Sequence, residues 1–145
     1  MTVTPLSYEE RLNSGFTHKL VIPYTDFTGL TSGSTYSLFP TLNTAATFAA
    51  GTRIAAFAVR VSTAFAFTPG TLVIKIGDGG DDDRYFASTS VKTAAWVENT
   101  VGTKPYLYDA ADTIDFVMTA GAGALSSITA GELTIFIAVQ DLTVL

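Results

Sequence analysis

Arg53-Ile54-Ala55-Ala56-Phe57-Ala58-Val59-Arg60-Val61-Ser62-Thr63-Ala64-Phe65-Ala66-Phe67 is the stretch on which the fold turns. Ala55, Phe57, Val59 and Val61 recur at every second position, and Phe65 and Phe67 resume the same phase after Thr63. Ala56, Ala58, Arg60, Ser62, Ala64 and Ala66, all small or polar, stand between them. Side chains alternate across a strand, so a period of two marks one face turned to a core. Thr71 to Gly77 repeats the pattern, with Leu72, Ile74 and Ile76 on one side and Lys75 on the other. Thr68-Pro69-Gly70 lies between them. Pro fixes φ near a turn value and Gly accepts positive φ, which predicts a hairpin joining the two strands.

Outward from this pair, further alternating runs appear. His18, Leu20, Ile22 and Tyr24 alternate with Lys19, Val21 and Pro23, a first strand that ends or sits at an edge because Pro23 cannot donate to a ladder. Ile114, Phe116 and Met118 mark a strand over 112–119. Leu133, Ile135, Ile137 and Val139 mark another over 132–141, with Thr134, Phe136, Ala138 and Gln140 facing the other way. Tyr36 to Phe39 and Pro105 to Tyr108 read as short extended pieces, and 84–87 as a strand edge. Ser90 to Asn99 predicts one short helix, with Ser90 as its cap and Val91, Ala94 and Ala95 on one side. Residues 1–16 read as an irregular N-terminal arm and 17–145 as the domain. The fold class is all-β: a single-domain β-sandwich, jelly-roll-like, with at most one short helix.

Composition narrows the function. The chain has 145 residues, enough for one core without staples. It contains no cysteine, which excludes disulfide scaffolds, thiol catalysis and cysteine-based zinc sites. Charged residues make up 14%, against about 25% in an average domain, so much of the surface is neutral and small, as suits a subunit of an assembly. The net charge of −5, with scattered cations, argues against nucleic acid. No basic and apolar leader opens the sequence, and no apolar run is long enough for a membrane helix.

Reactive groups do not assemble on paper. Asp78-Gly79-Gly80-Asp81-Asp82-Asp83 is the one dense set of hard oxygen ligands, and Asp78, Asp81, Asp82 and Asp83 are calcium candidates. Their spacing is neither an EF-hand nor a Gly-Gly-x-Gly-x-Asp repeat, and acidic turns are commonly solvated tips. His18, the sole histidine, falls on an apolar strand face with no nucleophile elbow in the sequence. Asp112 and Asp115, three apart on a strand, point to opposite faces. The expectation is a protein that is not an enzyme and needs no cofactor. Trp96, Tyr106 and Tyr108 offer rings for a lectin-like, carbohydrate-binding alternative, weighed against ordinary packing.

Three stretches carry a resemblance as a set: Thr71-Leu72-Val73-Ile74-Lys75-Ile76-Gly77-Asp78-Gly79-Gly80-Asp81-Asp82-Asp83-Arg84-Tyr85-Phe86, Tyr108-Asp109-Ala110-Ala111-Asp112-Thr113-Ile114-Asp115, and Leu125-Ser126-Ser127-Ile128-Thr129-Ala130-Gly131-Glu132-Leu133. Together they resemble the small β-rich structural proteins of tailed bacteriophages, of the capsid cement or decoration type. Related domains also occur in tails and fibres. The resemblance implies a jelly-roll-like sandwich on the capsid surface of the virion, with the major capsid protein as partner and a homo-oligomeric state, trimer or dimer. Lattice contacts are expected from the N-terminal arm and the loop over 25–52. The interface candidates are Leu6, Tyr8, Phe27, Tyr36, Phe39 and the outward Phe136.

Overall fold

A computed structural model describes residues 2–38, 47–98 and 106–144. The strands are β1 (Thr2–Pro5), β2 (His18–Pro23), β3 (Thr35–Ser37), β4 (Thr52–Ala66), β5 (Leu72–Asp78), β6 (Phe86–Ser90), β7 (Ala95–Glu98), β8 (Tyr106–Leu107), β9 (Ile114–Ala120) and β10 (Ala130–Asp141). One helix, α1 (Tyr8–Ser14), and 3-10 turns at Tyr24–Asp26 and Leu125–Ser127 complete the described elements. The strands form two antiparallel sheets. The first runs β1-β2-β10-β4-β7, with β8 also on β4, and the second runs β3-β9-β5-β6. The fold is an all-β, single-domain sandwich.

One core lies between the sheets. Leu20, Ile22, Phe57, Val59, Val61, Leu133, Ile135 and Ile137 come from the first sheet, and Leu72, Ile74, Ile76, Ile114, Phe116 and Met118 from the second. Phe27 joins the layers. It is fully buried, with edge-on contacts at 5.5 Å to Phe65 of β4 and to Phe116 of β9. Burying such a ring stabilises by about 1.5–3 kcal/mol.

The expected hairpin at Thr68-Pro69-Gly70 does not form. The turn carries the chain from one sheet to the other: β4 pairs with β10 and β7, whereas β5 pairs with β9 and β6. Alternation reports which face is buried, and both strands do bury a face in the same core. It does not report which neighbour accepts the hydrogen bonds. β4 also breaks its own period, because a register shift between Ala138 and Val139 brings Ile54 inward in place of Ala55.

The expected helix at 90–99 is also absent from the described part of that segment. Ser90 ends β6, and Ala95–Glu98 pair with β4 as β7. Val91 lies between them with its backbone shared by the two layers, since its N–H donates to Leu72 and its carbonyl accepts from Phe65. The helix lies instead in the arm that was expected to be irregular. Ser7 caps it: the Ser7 hydroxyl accepts from Glu10 N at 3.3 Å, and the Glu10 carboxylate accepts from Ser7 N at 2.9 Å. Gly15, at φ 74°, closes its far end. Ahead of the helix, β1 pairs with β2 and Leu6 packs into the interior.

Candidate functional site

Two places concentrate side chains with functional potential. The first is the tip of the β5–β6 hairpin. Gly77 ends its approach, where an added Cβ would lie 2.0 Å from the Asp81 carbonyl oxygen, so the tip folds directly over it. Asp78 is buried beneath. Its Oδ1 accepts from Gly80 N at 3.0 Å and Asp81 N at 2.9 Å, and its Oδ2 accepts from Arg84 Nε at 2.5 Å and the Tyr108 hydroxyl at 3.4 Å. The Tyr108 and Tyr85 hydroxyls are 2.6 Å apart. Burial pushes both phenols well above their ordinary range, which keeps their protons in place. The Arg84 guanidinium lies 3.8 Å from the Tyr106 ring centroid.

This network divides the four calcium candidates. Both Asp78 oxygens are engaged inside the chain. Asp81, Asp82 and Asp83 remain at the surface with carboxylate oxygens within 4.8 Å of one another, and Lys75 pairs with Asp82. A side-chain hydrogen bond to Asp81, then burial and the charges of Asp81 and Asp82, raise the Asp83 carboxyl above its ordinary value. Asp112 and Asp115 go separate ways: Asp112 accepts from Gly79 N at 3.3 Å, while Asp115 accepts from Ser37 and Thr113.

The second place is the outer face of the first sheet, turned away from the core. Phe136 on β10 stands on it, opposite Lys19 of β2 on one side and Ala58 of β4 on the other. Trp96 on β7 is directly opposite Arg60 of β4. Adjacent strands are about 4.8 Å apart, so rings two strands apart meet only if one leans across the strand between them. They do meet, with centroids 5.5 Å apart and planes 24° from parallel. Ala58 lies on the strand they cross. Its small side chain leaves the room, and it is buried although it faces outward. Phe16 extends the row, 5.7 Å from Phe136, and the Arg60 guanidinium sits 5.1 Å from the Trp96 ring. Ala138 and the bonded Ser62–Thr134 hydroxyl pair, 2.8 Å apart, help close the floor. Trp96 remains 59% exposed.

The lectin-like trio is not a surface. Tyr108 is buried beside Tyr106, at 5.1 Å, whereas Trp96 stacks on Phe136. Among the interface candidates, Leu6 and Phe27 are buried in the chain's own interior and are corrected to core residues. Tyr36 is half-buried against Phe116, its hydroxyl accepting from Thr31 N at 2.8 Å. Tyr8 is exposed, and Phe136 is half-exposed on the outer face. Phe39 lies outside the described residues. Sequence reasoning placed Phe136 outward but did not bring Trp96, Phe16 and Arg60 to it, since only strand order does that.

Comparison with family models, with curated proteins and with solved structures finds no match. Residues 71–86 and 108–115 meet in space. Tyr108 and Asp112 from one close over Asp78 and Gly79 from the other.

Proposed function

We propose that this chain is a non-enzymatic virion structural protein of the capsid-cement kind, which binds the outer surface of a bacteriophage shell and bridges its major capsid subunits. The row of half-buried Phe16 and Phe136 and exposed Trp96 on the outer face of the first sheet carries this reading. Rings of this kind, with an arginine beside them and a polar surround, are what the centre of a protein interface is made of. The ionisable groups at the hairpin tip support it too. Asp78, Arg84, Tyr85 and Tyr108 satisfy one another, as parts of a scaffold do. The phage resemblance of 71–86, 108–115 and 125–133 supplies the choice of partner.

Electron cryo-microscopy of particles made with and without the chain tests the reading. The expected result is density on the outer shell, lost on deletion, and deleted particles that open at lower temperature. Density confined to the tail or fibres, or particles that never incorporate the chain, would overturn it.

A further inference from the structure

We propose that the outer face of the first sheet is the surface that meets the shell, and that the shell offers it an apolar patch bordered by carboxylates. The inference rests on the capsid-cement reading and names the partner chemistry of the same face.

The charges on that face set the sign of the partner. Lys19 stands opposite Phe136, and Arg60 stands opposite Trp96. The ion pairs among the described residues, Lys75–Asp82 and Arg84–Asp78, both belong to the acidic hairpin, and on β7 Glu98 stands opposite Ala58, two residues along from Trp96. Glu10 is near enough to Lys19 to feel its charge, but its carboxylate is bound to Ser7 N. Glu132 shares the face only at the far end of β10, opposite Pro23 and Thr63. In a chain of net charge −5, strands that bring Lys19, Arg53 and Arg60 to this sheet against Glu98 and Glu132 leave the aromatic row an excess of cations, which selects an acidic surround with an apolar centre.

A second copy of the chain fits poorly. A two-fold contact sets a patch against itself, and with the axis near Phe136 it would bring Lys19 of one copy towards Arg60 of the other, cation against cation. The acidic tip of another copy could answer the cations. Its exposed residues are Gly79, Gly80, Asp81 and Asp82, which leave the rings wet. The floor of Ala58, Ala138 and Thr134 is closed, so the contact is broad and flat, as across a seam between subunits.

Trp96 is the only tryptophan of the chain, so its tryptophan emission, taken as the difference from shells alone, reports on this face. The probe is the phage's own shell, purified from particles lacking the chain. Wild-type protein should bind with a blue shift of Trp96 emission, and binding should weaken as salt is raised. Lys19→Glu with Arg60→Glu should weaken binding about tenfold or more, and so should Phe136→Ser, as for the loss of an interfacial hot spot. Lys92→Glu, at an exposed site beside Gly70, should bind as wild type, and melting curves confirm that each variant is folded. If wild type binds with unchanged emission, or the double variant binds as tightly, the inference fails while the capsid reading stands. Self-association abolished by Arg60→Glu would also overturn it. Wild type that does not bind shells at all sinks the capsid reading itself.

Discussion

Arg84 Nε lies 2.5 Å from Asp78 Oδ2, at the two ends of a turn whose other carboxylates face water. The pair explains why so acidic a loop holds one shape: one carboxylate is taken inside and bonded from both its oxygens. Asp78→Ala would leave the guanidinium and two backbone N–H groups without their acceptor. Breaking a buried pair from one side costs about 3–5 kcal/mol. Urea denaturation should show a loss of that order, and a change under about 1 kcal/mol would refute the role given to Asp78.

His18 confers a pH dependence. Burial first, and then the nearby Arg11 cation, hold its imidazole below the ordinary 6.5. Thr17 Oγ1 donates to the Ile137 carbonyl and accepts from Val139 N, so the contact with His18 Nδ1 at 2.9 Å requires that nitrogen to be the donor. As pH falls through 6.5 the unfolded chain takes up a proton that the folded chain still refuses. Stability is therefore full above 6.5 and declines below it. Glu10 and Asp141, both held below their ordinary values of 4.5 and 3.8, titrate lower still. Melting temperature should fall between about pH 7.5 and 5.5, and His18→Gln should flatten the slope. An equal slope in the variant would assign the effect elsewhere.

Gly131 sits at φ 138° where β10 slips register against β4, and an added Cβ would lie 2.5 Å from the Phe65 ring. Gly131→Ala combines a disfavoured backbone with a clash in the core, and should cost about 3 kcal/mol. Gly29→Ala, with open space around it, should change stability by less than about 0.5 kcal/mol. Equal melting temperatures for the two variants would contradict this geometry.

Removing residues 1–15 strips β1 from β2 and takes away buried Leu6. The melting temperature should drop on the order of 10 °C, and the bared edge of β2 should promote aggregation. Truncation therefore confounds folding with docking. Tyr8→Ser and Leu12→Ser are cleaner probes of the helix, because these side chains are 75% and 67% exposed. Calorimetry should find each within about 0.5 kcal/mol of wild type.

The layers were readable where burial alternates. β2, β5, β9 and β10 carry their inward residues at every second position, and Leu20, Ile74, Phe116 and Ile135 are all buried as expected. Pairing was not readable, because β4 and β5 show the same alternation whether they join one sheet or face each other across a core. The helix signal Ser7-Tyr8-Glu9-Glu10 was present in the sequence, in a segment too short and polar to show helical periodicity. Phe27 lies among Thr and Gly with no period around it, so only its contacts with Phe65 and Phe116 mark it as core. The ring row was hidden for a related reason. Phe16, Arg60, Trp96 and Phe136 are distant in sequence, and strand order alone assembles them.

β10 fills the middle of the first sheet and follows β2 and β4 in the chain, and among the described residues those two strands pair with it and not with each other. Closing so long a loop is slow compared with local folding. A chain without Ala130–Asp141 lacks the wedge that seals the layer, and so the ring row cannot gather. Closure of the sheet and assembly of the ring row are in this way one event, since Phe136 arrives on the strand that seals the layer.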